Sequence, residues 1–364
     1  MTLVIVMVVT SLLIVEVGAA RERARQGVCL SNMRQFGLAL QDYESRSTRS
    51  TYPGYKSFQP MEDGSSFKAP SGPYSPYPLT MQGQDTAVSW IVELAPHIDS
   101  SRVKERPKWK ASDKYLFPYI ELIVCPSDPP LIVDRGPMSI VVNVGMRDGS
   151  TPGARDFREN GVFHDHFTDH PKQLSDLEPN PPFTTVNSAF IDRRGDGLQY
   201  TLMLSENVDA GSYLDTDERF LGFSWARPTE EVDFSGPVPT VNPPRNVCRI
   251  NEGIGRQISP IESAGTHSSV GMQLRDSGHE DDDSQNFFYA RPSSNHPGGV
   301  NVIFCDGHGQ ILSEKINYYV YIMLMTPKGN AVRDPHNQGA LIDKPGFAQL
   351  EKPAPKFDER WLTQ

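Results

Sequence analysis

The chain has 364 residues, 37% of them hydrophobic, with 45 acidic against 35 basic side chains and a formal net charge of −10. That length supports one large or two medium domains with a sizeable core, while the acid excess argues against nucleic acid as a partner, since phosphate binding needs clustered Lys and Arg. The 31 prolines and 29 glycines exclude a plain helical bundle and predict short strands joined by long loops.

Residues 1–15 read MTLVIVMVVTSLLIV, apolar but for Thr and Ser. No proline or turn residue separates this run from Glu16–Ala20 and the charged stretch Arg21, Glu22, Arg23, Ala24, Arg25. Cys29, Met33, Phe36, Leu40 and Tyr43 then recur at alternating spacings of four and three, which lines one face of a helix. The pattern predicts a single helix of roughly 45 residues, about 65 Å long at 1.5 Å per residue. Its first third is greasy all round and its last third amphipathic. A cleaved signal peptide is one alternative: Gly18-Ala19-Ala20 offers a small-residue cleavage site, but a basic n-region is lacking. A plain signal anchor is another, although the ~20 residues of a membrane span are reached only by including Glu16.

This register resembles bacterial type IV pilins and the pseudopilins of type II secretion. More narrowly it resembles the large planctomycete-type family with a prepilin-type N-terminus and a C-terminal His-x9-Asp-Gly motif. The residues carrying the resemblance are Ala19, Ala20, Arg21 and Glu22, then Cys29, Asn32 and the run Met33–Leu40. The resemblance implies an α+β, pilin-like fold: a long membrane-embedded N-terminal helix packed on an antiparallel sheet with long loops. It divides the chain into an apolar transmembrane half-helix (1–20), its amphipathic half (21–45), a globular domain (46–329) and a loosely ordered tail (330–364). One departure stands out. Pilin-like proteins have a basic leader ending in Gly, then Phe-Thr-Leu-x-Glu, whereas this sequence opens Met1-Thr2-Leu3-Val4-Ile5. The expectation is either a true start further upstream or a subunit that has lost processing and polymerises poorly.

Four cysteines stand at 29, 125, 248 and 305. With the domain outside the membrane, Cys29–Cys125 is the expected bridge, tying the helix to the first loop and worth a few kcal/mol; four free buried thiols is the rival reading. Arg21, Arg23 and Arg25 would by themselves hold their end of the helix in the cytoplasm, so the opposite, periplasmic orientation rests on the resemblance.

After the helix, residues 45–85 form a Ser/Tyr/Pro/Gly-rich surface loop. Thr86–Ile98 reads as a helix up to Pro96, and Tyr119–Val124 as a short strand. Cys125-Pro126-Ser127-Asp128-Pro129 matches a family string and reads as a turn, with Pro fixing φ and the Ser and Asp side chains bonding nearby backbone. Ser139–Val144 is a β-branched strand, Asn160–Phe163 a turn leading into a strand, and Tyr200–Ser205 a further strand ending at Glu206. Nine residues separate His296 from Asp306-Gly307, with Val300, Val302 and Phe304 alternating on a strand between. Asp306-Gly307 supplies a hairpin turn, residues 308–313 the returning strand, and Glu314–Met325 a helix with Ile316, Val320, Met323 and Leu324 on its apolar face.

Three constellations invite chemistry. His164, His166, Asp169 and His170 approach the His-x-His-x-Asp-His pattern of metallo-β-lactamase-like hydrolases, but with one residue too many before Asp169; a polar loop, at most capturing zinc adventitiously, is preferred. His296, Asp306 and His308 suggest an acid–base pair or metal site; bracing of the strand start by a His296 bond to backbone is preferred. Calcium, which major pseudopilins bind through loop carboxylates, would suit Asp192, Asp196 and Glu206 or equally Asp281–Asp283, the latter otherwise a solvated loop after His279. No other cofactor and no catalytic residue is expected.

The function expected is that of a non-enzymatic pseudopilin-like subunit of a type II secretion or type IV pilus-like filament. It would be anchored in the bacterial inner membrane by one pass, with its domain in the periplasm, and would meet like subunits or other pseudopilins through its N-terminal helix. The rivals are a membrane-anchored extracytoplasmic domain that binds polysaccharide or protein cargo, and a metal-dependent hydrolase acting through His164, His166, Asp169 and His170.

Overall fold

The computed structural model describes residues 2–60, 85–98, 119–130, 136–146, 156–166, 184–213, 218–226, 250, 291–335 and 341–342; the side chains of residues 2–15, 58–60, 85–87 and 219 fall outside the description. Asp169, His170 and Asp281–Asp283 therefore lie outside the described residues, as do Cys248 and most of the tail.

Helix α1 is a single element, Thr2–Arg46. The predicted stripe is its buried face: Cys29, Met33, Phe36 and Leu40 are inaccessible, joined by Ala39, while Tyr43 is half-buried. Among the described residues, no helix is long and apolar enough to cross a membrane. Strands β1 (Lys56–Pro60) and β2 (Asp85–Ser89) pair antiparallel, and α2 (Trp90–Leu94) follows directly. The segment read as one helix from Thr86 is thus a strand before it is a helix. Pro96 does not end the helical run but sits inside a following 3-10 turn, Ala95–His97, a first-turn position where its missing N–H costs nothing. The rings of Phe36 and Trp90 meet in a T-shaped arrangement with centroids 6.0 Å apart, packing α2 against α1.

Among the described residues the main sheet has five strands in the order β5-β3-β4-β6-β7. These are β3 (Ile140–Met146), β4 (Leu202–Glu206), β5 (Gly222–Trp225), β6 (Gly299–Phe304) and β7 (Gly309–Ser313). Between β3 and β4 lies α3 (Ser188–Arg194), whose N-cap Asn187 accepts a bond from Phe190 N–H. The short α4 (Glu218–Leu221) precedes β5. All pairings are antiparallel except β5 with β3, which is parallel, so the expected antiparallel sheet is mixed at this edge. Tyr119–Val124 is not a strand; it holds a 3-10 turn at Glu121–Ile123. Asn160–Phe163 forms a turn that docks on β3 through two N–H bonds to Asn143 O, without becoming a strand.

Helix α1 packs across β6, β4 and β7. Gly37 makes the approach close: a Cβ there would stand 3.1 Å from Ile303 Cγ2, which explains a glycine in a helix interior despite its cost. Strand β6 is buried along its whole length, not on the single face that the alternation of Val300, Val302 and Phe304 suggested. A strand covered on both sides carries apolar residues in both phases. Past it, Gly307 adopts φ 90° and closes the β6–β7 turn as expected.

Helix α5 (Tyr318–Met325) is shorter than predicted and buried at all eight positions. No amphipathic face exists because no side meets water. Asn143 donates to Leu202 O at 2.7 Å and Met325 O at 2.8 Å, fastening the end of α5 to the sheet. The described part of the tail is docked: Val332 and Ile342 are fully buried, and Arg333 bridges to Leu341.

Candidate functional site

The buried stripe of α1 continues toward its N-terminus in polar form. Glu22, Gln26 and Cys29 prolong the four-and-three spacing that carries Met33, Phe36 and Leu40, so they face the same way. There they meet three other segments, each of which the sequence singled out separately.

The first is the turn after Val124. Cys125 is bonded to Cys29 across a sequence separation of 96, with Cα atoms 5.4 Å apart; the expected bridge forms, and Cys305 is a buried free thiol. Asp128 N–H closes the turn on Cys125 O at 2.8 Å, around an exposed Pro126. The Ser127 side chain reaches another segment, not nearby backbone as predicted, and Asp128 also bonds to other segments. Ser127 Oγ donates to Glu22 Oε1 at 2.6 Å, while Asp128 accepts from Ser139 Oγ and Asn295 Nδ2. The second segment is the end of β4, where Glu206 Oε2 accepts Asn301 N–H and Oε1 accepts Asn301 Nδ2, each at 3.0 Å. The same amide also reaches Gln26 O of α1 at 3.2 Å.

The third is the loop entering β6, which delivers His296. Ser294 Oγ shapes it, accepting His296 N–H at 3.1 Å and donating to Gly299 O at 2.9 Å. The imidazole is wholly inaccessible: Nδ1 lies 2.7 Å from Glu22 Oε1, and Nε2 lies 3.3 Å from Glu206 Oε1 and 3.4 Å from Cys125 Sγ. The ring's partners are two carboxylates, not the backbone that was expected. A carboxylate at each ring nitrogen calls for a proton on both. Burial works against that charge, yet Glu206 and Glu22 outweigh it and hold the His296 pKa above the ordinary imidazole value. Burial likewise pushes Glu22 up, but the Ser127 and His296 bonds prevail and its pKa is lowered. The result is an imidazolium clamped between two carboxylates beside a disulfide. It links α1, β4 and the approach to β6; its charged groups are spent on one another, as in a crosslink, while Gln26 Nε2 and Asn301 Oδ1 are buried beside them without a partner among the described residues.

The other expected groupings do not assemble. Asp306 and His308 sit at the opposite end of β6 from His296, where Asp306 Oδ1 accepts His308 N–H and pairs with Nδ1 at 2.6 Å. Asp192 is exposed on α3, Asp196 accepts Gly329 N–H at 2.7 Å, and Glu206 belongs to the clamp, so no calcium cage forms from these three. His164 and His166 are close, but each turns Nε2 to a main-chain carbonyl, Gly161 O at 3.0 Å and Thr184 O at 3.1 Å. Burial, with His164 beside it, pushes His166 down to about 4. His164 Nδ1 lies 3.5 Å from Asp156. Glu22, Gln26 and Asn301 escaped the sequence reading because polar residues on an apolar stripe look like its edge; the spacing 22-26-29-33 was the signal that could have found them.

No curated protein and no solved structure matches this chain. A family model described as "Protein of unknown function (DUF1559)" matches residues 18–318, from just before Glu22 to the start of α5. Every member of the clamp lies inside that span, and the match covers most of the molecule: the chain belongs to the DUF1559 family.

Proposed function

We propose that the protein is a non-enzymatic, pilin-like structural subunit. The first half of α1 would anchor it in the bacterial inner membrane, hold the domain in the periplasm, and pack against like subunits or pseudopilins in a secretion or pilus-type filament. The observation that carries this reading is the division of labour along α1. From Cys29 onward the helix is built into the domain core. From Glu16 to Val28 only Glu22 and Gln26, on the clamp side, are half-buried; the rest are exposed, Val17 and Val28 among them. A helix built into its domain from Cys29 onward and preceded by an apolar run suits insertion among other helices.

Site-specific photo-crosslinking from Val17 and Val28 in cells tests it. Self-crosslinked ladders are expected; crosslinks confined to unrelated proteins or carbohydrate would instead favour a membrane-anchored binding domain and overturn the filament reading.

A further inference from the structure

Apart from the core, the densest gathering of metal-ligating side chains among the described residues is the clamp itself. Cys29, Cys125, Glu206 and His296 are all buried, and one donor atom from each lies within 4.8 Å of the other three. We propose that, once the Cys29–Cys125 bond is reduced, these four side chains form a closed site for a zinc-type divalent cation, which then takes over the disulfide's task of pinning α1.

The geometry argues for it edge by edge. A tetrahedron built with Zn–S of ~2.3 Å, Zn–N of ~2.05 Å and Zn–O of ~2.0 Å has N···S edges of about 3.6 Å and N···O edges of about 3.3 Å. His296 Nε2 lies 3.4 Å from Cys125 Sγ and 3.3 Å from Glu206 Oε1. Two of the six edges are thus already set; the sulfurs must part from a bonded ~2.05 Å to about 3.8 Å, and the remaining three edges lie within 4.8 Å.

The surroundings are those of a ligand shell. A metal-bound histidine typically gives its second ring nitrogen to a carboxylate, which fixes the ring and raises its basicity. His296 does this through Nδ1 and Glu22 Oε1, 2.7 Å apart. Glu206 is oriented by two bonds from Asn301. Two thiolates and an imidazole select zinc-type cations over calcium, which takes six to eight oxygens. Four protein ligands leave no open position, so the site is structural and not catalytic.

The chemistry balances. A phosphine reductant gives two electrons to the disulfide and, with water, becomes the phosphine oxide, leaving two thiols. The cation then displaces a proton from each thiol and one from Nε2 to solvent, while Nδ1 keeps its proton for Glu22. This inference goes beyond the filament reading and does not rest on it, since it concerns what holds α1 and not what α1 packs against.

The test is a Co²⁺ titration of the detergent-solubilised full chain, oxidised and phosphine-reduced, with reductant removed under argon. One equivalent bound with thiolate-to-cobalt charge-transfer and tetrahedral d–d bands, displaced by Zn²⁺, is expected of the reduced chain only. Cys125→Ser leaves Cys29 as the single thiolate and should weaken the charge-transfer band, and replacing both cysteines by Ser should abolish it. Glu22→Gln keeps all four ligands and should weaken Co²⁺ binding about 10–100-fold. Binding that is equal in the oxidised chain, below one equivalent in the reduced chain, or unchanged by Glu22→Gln would overturn the proposal and leave the crosslinking result untouched.

Discussion

Glu22 and His296 stand 274 residues apart in sequence and 2.7 Å apart in space. The bond joins the point where α1 enters the domain to the loop that starts the central strand β6, and its other side is Glu206. Removing His296 would leave Glu206, at 2% exposure, as a buried charge without its imidazolium. His296→Ala in the oxidised chain should therefore cost about 3–5 kcal/mol. Glu22 is 23% exposed and can recruit water, so Glu22→Gln should cost about 1 kcal/mol or less. Urea unfolding of both variants checks the order; a His296→Ala loss as small as that of Glu22→Gln would mean the clamp adds little.

Asp196 should give the protein a measurable pH slope. Burial pushes its carboxyl up to about 6, with the Gly329 N–H bond and Lys328 pulling it back. The folded state thus prefers the protonated form. Its favourable contribution is complete below the unfolded value of 3.8 and is lost as pH rises through about 6. Asp196→Asn keeps an acceptor for Gly329 N–H without the charge. It should gain about 1 kcal/mol at pH 7.5, discounted for partial exposure, and nothing at pH 4. Parallel stability curves for the two proteins across that range would contradict this.

Gly37 should tolerate only the smallest addition. Alanine gains about 1 kcal/mol of helix propensity, offset by a Cβ 3.1 Å from Ile303 Cγ2 and 3.5 Å from Met203 Cε, so Gly37→Ala should be near neutral. Gly37→Leu should cost about 1–3 kcal/mol by overpacking the α1–sheet contact. Thermal unfolding separates them, and a stabilised leucine variant would show that α1 sits less tightly than described.

The amphipathic part of α1, strands β3, β4, β6 and β7 and the Gly307 turn were legible in the sequence because each has a local cause: a period, a β-branched run, a residue that accepts positive φ. Strand β2 was not, since Asp85–Ser89 runs straight into the apolar Trp90–Leu94 and the two together imitate one helix. Helix α5 was misjudged in its face because complete burial erases the periodicity that marks a face. The site was legible as fragments. Cys29, the Cys125–Asp128 turn, Glu206 and His296 each drew notice, but their convergence depends on how α1 crosses the sheet, which no local pattern encodes. Glu22 was noticed only as part of the family resemblance, because its partners lie in distant stretches of chain.

The clamp sits where α1 leaves the domain, fastened on one side of the rod by a covalent bond, an ion pair and the Ser127 hydrogen bond. A shaft keyed in this way cannot spin in its socket. Any twist applied to the protruding end is delivered to the body as torque, and copies seated side by side by their shafts would all turn the same flank outward.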